Sequence, residues 1–323
     1  MQPRLYLRTG IGALLVAGFC SLCCAQGYPS RPVKVLIGTP AGSAIDVGLR
    51  VIGARIQPLL GQPLVVELRP GADGMIAARQ AASATPDGYT VVAASNGHMA
   101  ITPVVQTGAS YDPLTDFEAV AMLARFSSVL VVNAGIPVRD VAEFVRYAKA
   151  RPGELNYGSS SANFMLAMEL FKGLTGTSIR HVPYQGNPQV GAALVSGDVH
   201  AAILSLGSVT GFIQGGKLKA LAIAGSSRDG TLPDVPTLAE AGVRGYDVDV
   251  WVGLFAPAAT PAQPVAQLSA AFRGTLDLPD VRDQLNRAGI AASWGSGAAL
   301  RETVVRDLKT YRELVARLAA ISK

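Results

Sequence analysis

Short apolar runs and amphipathic stretches alternate along most of the chain. Residues 33–37 (VKVLI) are apolar enough for a buried strand. Gly38, Pro40 and Gly42 interrupt that run, and Val47, Val51, Ile52, Ile56 and Leu59 then recur at helical spacing. Ser43 stands where a helix N-cap belongs and Asp46 follows three residues later, where a capping carboxylate belongs. The same alternation predicts a strand at 62–68, a turn at 69–74, a helix at 76–84, a turn at 86–89 and a strand at 90–94. This βαβαβ order predicts a parallel sheet with helices on both faces, and it places the loops at Gly42 and Ser95 on one edge.

Residues 117–133 hold two apolar runs, 119–123 and 129–132, the second able to carry the chain into another lobe. A helix is expected at 140–150. Asn156-Tyr157-Gly158 then leads into Ser159-Ser160-Ser161-Ala162-Asn163 and a helix at 164–174, repeating the opening order of strand, small polar loop and helix start. Backbone N–H groups at a helix start are unpaired, and the helix dipole adds partial positive charge there. Two such loops in two lobes would grip an anion between them; the alternative is that each only caps its helix. Further strands are expected at 179–184, 201–204, 218–224 and 246–256, and helices at 190–196, 209–214, 237–241 and 261–272. Residues 232–236 read as an extended linker. Leu300, Val304, Leu308, Val315 and Leu318 form one stripe of a C-terminal helix.

Composition narrows the class. The chain has 323 residues, enough for two domains, with 49% hydrophobic and 16% charged residues, which fits a globular protein. Arg4 and Arg8 precede the apolar segment 10–19, and a small-residue cleavage position falls after Ala25, so residues 1–25 are expected to be an export signal. Removing those two cations lowers the formal net charge from +5 to +3, with no basic block, which argues against nucleic acid. Cys20, Cys23 and Cys24 all lie in the leader, so the processed chain has no thiol chemistry; a lipid anchor on Cys23 or Cys24 is the alternative. No later stretch reaches the ~18 apolar residues of a membrane span.

Motifs for catalysis are missing. His98, His181 and His200 lack zinc-site spacing, and no G-x-S-x-G elbow or phosphate loop occurs. His98 adjoins the expected cleft, whereas His181 and His200 sit at strand edges. No metal or cofactor is expected.

Several segments, in order, resemble the Bug (Bordetella uptake gene) family, the extracytoplasmic receptors of tripartite tricarboxylate transporters. They are YPSRPVKVLIG at 28–38, RPGADG at 69–74, PDGYT at 86–90, YDPLTDF at 111–117, PGELNYGSS at 152–160, HVPYQG at 181–186, LPDVPTLAEAG at 232–242 and WVGLFAPAATP at 251–261. The resemblance implies a two-lobed periplasmic binding protein of the type II, Venus-flytrap α/β class, with a parallel-rich sheet in each lobe. It implies a first lobe from 26–124 with 245–323 and a second from 125–244, crossing near 124–129 and 225–246. It also implies capture of a small carboxylate by a monomer that is not an enzyme, with the membrane subunits of a transporter, or a sensor kinase, as partner. Positions matching the family's ligand loops are Gly42, Ser43, Ala44, Ile45 and Asp46, then Ser159, Ser160, Ser161, Ala162 and Asn163. Thr39, Ser95, Asn96, Tyr184, Leu204 and Trp251 match positions near the cleft.

The chain departs from the family pattern. The usual P-P-G-G-S-T-D of the first loop is P-A-G-S-A-I-D here, the second loop is shorter with Met165 where a histidine is common, and Leu204-Ser205 replaces an Asp-Asn pair. Ile45 and Leu204 put apolar groups where polar ones are usual, which leads to the expectation of a monocarboxylate with an apolar or aromatic body.

Overall fold

The computed structural model describes residues 27–321 apart from 107, 109 and 247, with the backbone alone for Asp73 and 317–321. The expected leader therefore lies outside the described residues. The chain runs β1 (Val33–Ile37), α1 (Ala44–Leu60), β2 (Leu64–Leu68), α2 (Met75–Ala82) and β3 (Thr90–Ser95), then a π turn, Gly97–Ile101, continuous with α3 (Thr102–Val105). Next come β4 (Phe117–Phe126), β5 (Ser128–Asn133), α4 (Val141–Lys149), β6 (Asn156–Ser159), α5 (Ala162–Thr175), β7 (Arg180–Pro183), α6 (Asn187–Ser196), β8 (Ala201–Ser205), α7 (Leu206–Gln214) and β9 (Leu218–Ile223). The last elements are β10 (Val250–Pro257), α8 (Ala262–Leu276), α9 (Pro279–Arg287), β11 (Ala291–Ser296) and α10 (Gly297–Ile321).

Two sheets result, one ordered β11-β4-β10-β3-β1-β2 and the other β7-β6-β8-β5-β9. Each is mixed rather than parallel-rich. The pairs β1–β2, β1–β3, β6–β7 and β6–β8 are parallel, whereas the strands entering or leaving at the crossings pair antiparallel. The chain changes sheet at Ser127, between β4 and β5, and again between β9 and β10.

Strand alternation decides which core each residue enters. Val33, Val35 and Ile37 pack with Leu49, Ile52 and Ile56 of α1, while Leu36 joins the cluster on the opposite face with Met75 and Ala78 of α2. The α1 stripe is rotated from expectation: Ile45, Leu49, Ile52, Ile56 and Leu60 are buried, and Leu59 is largely exposed. Leu59 lies beyond the core-facing stripe and reaches only Gly274 of α8. On α10, Leu300, Val304 and Leu308 are buried as expected and Val315 is half-buried.

Two expected elements change form. Residues 237–241 make one turn instead of a helix. Thr237 Oγ1 accepts from Glu240 N–H at 3.1 Å, Glu240 Oε2 accepts from Thr237 N–H at 2.8 Å, and Gly242 at φ 94° ends the turn. The strand expected from Tyr246 begins only at Val250, because Tyr246 and Asp249 bond elsewhere. Tyr246 OH donates to Ala167 O at 3.3 Å. The Asp249 carboxylate accepts from Ser226 N–H at 2.9 Å, from Ser226 O–H at 2.7 Å and from Arg125. Ser127 Oγ donates to Asp229. Both crossings are thereby tied side by side through one buried carboxylate and one partly buried one.

Candidate ligand-binding site

Because β1, β2 and β3 run parallel, their carboxyl ends open on one edge. There the backbone is packed too closely for side chains. A Cβ on Gly38 would lie 2.4 Å from Gly74 Cα, and one on Gly74, at φ 82°, would lie 2.1 Å from the His98 ring. The ring is held in turn. Ser95 N–H donates to His98 Nδ1 at 3.1 Å and Ser95 Oγ lies 3.2 Å from it, so the neutral ring carries its proton on Nε2. Tyr111 OH donates to His98 O. A stack of Gly38, Gly74 and His98 thus forms a rigid wall.

Facing this wall is the start of α5 in the other sheet. Ser161 precedes the helix in extended conformation, and its side chain makes no cap, leaving the first-turn N–H groups without a side-chain acceptor. Asn163 Nδ2 donates to Asn96 Oδ1 at 3.5 Å, and a Cβ on Gly97 would come within 3.1 Å of Asn163 Oδ1, so the two sheets' loops touch here. Asn96 is buried, and its Nδ2 donates to Asp249 O at 3.2 Å. The contact between the loops is therefore linked to the crossing segments. Between wall and helix lies a cavity of about 590 Å³, within the ordinary range for small-molecule sites.

Thr39, Ser95, Ser160, Ser161, Ala162 and Asn163 of the expected set line this cavity. The remaining expected residues do not. Asp46 is a buried cap: its Oδ2 accepts from Gly42 N–H at 2.9 Å, its Oδ1 from Arg50 Nε at 2.8 Å, and its own N–H donates to Ser43 Oγ at 3.3 Å. That closure uses the N–H groups of Gly42 and Asp46 within the loop itself. Ala44 and Ile45 line a separate apolar crevice of about 20 Å³ with Leu285 and Ile290. Ser159 is buried and its Oγ lies 2.7 Å from His181 Nε2. Tyr184 leans over Gly158, its Cε2 3.3 Å from a Cβ placed there. Leu204 is fully buried because β8 is the central strand of its sheet. Trp251 is fully buried too, and its Nε1 donates to Asp307 Oδ2 at 2.8 Å.

Residues 49–319 match the family model described as "Tripartite tricarboxylate transporter family receptor". The chain belongs to the TctC family. It is 32% identical to the UPF0065 protein in gbd 5'region of Cupriavidus necator, over 98% of both chains. It is also 32% identical to Protein BugT of Bordetella pertussis, over 79% of both. Among solved structures, a Polaromonas TctC solute-binding protein without ligand superposes with TM-score 0.82 at 29% identity, covering 90% of this chain and 99% of that one. An R. palustris protein solved with adipate gives 0.73 at 33%, covering 90% and 97%. MatC from Rhodopseudomonas palustris with bound malate gives 0.71 at 32%, covering 89% and 100%.

Within this TctC-family chain, sequence reasoning missed the Pro70–Gly74 turn and the Ile101, Thr102 and Val105 side of the cavity. The turn was recoverable, since β2 lies parallel beside β1 and must end on the same edge. The π turn that presents Ile101 carries no such signal. A second inter-sheet cavity of about 380 Å³ lies beside the crossings, lined by Arg125, Ser127, Ser205 and Asp229 among others.

Two expectations arise here. Asp46→Asn should lower stability by about 0.5–2 kcal/mol through the weakened cap, measured by denaturant titration, while leaving ligand affinity within about twofold. Burial holds the His181 pKa below its ordinary 6.5, with Glu169 opposing and Lys172 reinforcing the shift. The folded state then binds fewer protons than the unfolded one, so stability is full above about pH 6.5 and falls as pH drops toward the lowered value. His181→Asn should therefore show a smaller loss of melting temperature between about pH 7.5 and pH 5.5 than the native chain.

Proposed function

We propose that this chain is a periplasmic solute-binding protein that captures a small organic carboxylate between two lobes and delivers it to a tripartite tricarboxylate-type transporter. The observation that carries this is the cavity bounded by the His98 wall on one sheet and the start of α5 on the other. Its lining is rich in neutral hydrogen-bonding groups and borders a helix start, a setting suited to an anion. The family and fold are those of a solute-binding receptor. The diacids bound in two similar proteins support a carboxylate ligand.

On this reading residues 1–25 direct export and are removed. Residues 26–124 with 245–323 form one lobe and 125–244 the other, and the monomer closes about the two crossings as a hinge. Ligand binding is the whole activity, without chemical conversion. Mass spectrometry of small molecules released from denatured, natively purified protein tests this. The expected result is a carboxylic acid that rebinds in calorimetry. A non-acidic compound that rebinds in its place would contradict it.

A further inference from the structure

We infer that the cavity selects an acid with a single carboxylate on an apolar body, a specificity that rests on the solute-binding reading above. No lysine or arginine is among the described side chains that line it. The cations on flanking elements are engaged away from it. Arg50 Nε donates to Asp46, Arg69 donates to Glu67 and Gln80, and Arg79 donates to Gly108 O. The polar lining is neutral, from Thr39, Ser95, Ser161 and Asn163. Hydroxyl, amide and backbone donors at one end can replace the water around one carboxylate. A second carboxylate entering the same closed space would lose its hydration with no opposite charge to meet it.

The rest of the wall is apolar. Pro70 and Ile101 border the cavity together with Val105, which is 40% exposed, one of the few large apolar side chains left open to solvent. A hydrocarbon body laid against Val105 and Ile101 would cover that surface, whereas a charged end would not. This differs from the diacids bound by the similar proteins, and it agrees with the ligand expected from the sequence for a different reason. Ile45 and Leu204, which led to that expectation, lie outside the cavity, and Ile101 and Val105 take their place.

Calorimetry on the leaderless chain with two matched pairs, hexanoate against adipate and benzoate against terephthalate, tests the inference. The monoacid of at least one pair should bind at least about tenfold more tightly than its diacid. The Val105→Arg variant, altered at an exposed position, should shift the hexanoate-to-adipate ratio toward adipate by about fivefold or more. Diacids that bind as tightly as their monoacids, or an unchanged ratio in the variant, would overturn the inference while leaving carboxylate capture intact. No binding of any of the four acids would overturn the inference and the capture reading together.

Discussion

Trp251→Ala is expected to lower the free energy of unfolding by about 3–5 kcal/mol, the range for removing a large buried aromatic. Trp251 is fully buried in β10, its ring centroid lies 6.3 Å from that of Phe255, and its indole N–H donates to Asp307 on α10. The residue therefore fastens the C-terminal helix to the middle of the first sheet. Trp251→Phe separates packing from hydrogen bonding. It keeps most of the apolar volume but withdraws the donor from a carboxylate whose side chain is only 4% exposed. A loss of about 1–3 kcal/mol is expected for that change. Because Trp251 does not line the cavity, the folded Phe variant should bind ligand within about twofold of the native chain. Denaturant titration and calorimetry on the same preparation measure both; a large affinity loss with unchanged stability would return Trp251 to the cleft.

Gly38→Ala should act on stability and binding together. The added methyl would sit 2.4 Å from Gly74 Cα and 3.0 Å from Gly74 O, and backbone cannot rotate away as a side chain can. Overpacking of a close-packed interior costs about 1–3 kcal/mol, and this contact belongs at the upper end or above it. The displaced turn carries Pro70 and Gly74, both part of the cavity wall, so ligand affinity should fall by about tenfold or more. Gly53→Ala is the contrast within the same domain. It lies inside α1, its nearest contact to an added Cβ is 3.9 Å, and the change should stabilise by about 0.4–1 kcal/mol.

Much of the fold was legible because burial on both faces of a strand leaves a continuous apolar signature. Residues 33–37, 90–94 and 129–132 declared themselves in this way. The Ser43 and Asp46 pair located the α1 start within a residue. β11 (AASWGS) was missed because it is half-exposed, glycine-bearing and irregular, with a register shift between Ala292 and Gly295. α9 was missed because only Val281 and Leu285 of its nine residues are buried.

The candidate site was legible only in part, and for a consistent reason. Sequence spacing finds loops at strand ends, but it does not show which loop groups are already used. Asp46 reads equally well as a cap or a ligand contact until Gly42 N–H and Arg50 are seen to occupy its two oxygens. Trp251 and Leu204 were placed near the cleft by resemblance, yet each sits on a strand with neighbours on both sides. The apolar wall at Ile101 and Val105 depends on a π turn and a four-residue helix, neither of which leaves a periodic trace.

A crystal structure of the chain with its tightest-binding acid tests the central claim most directly. The account predicts the carboxylate within hydrogen-bonding distance of the start of α5 and the body of the ligand against Ile101 and Val105, enclosed between Ser95–His98 and Ser160–Asn163. A ligand seated instead in the cavity beside the crossings, among Arg125, Ser205 and Asp229, would contradict it.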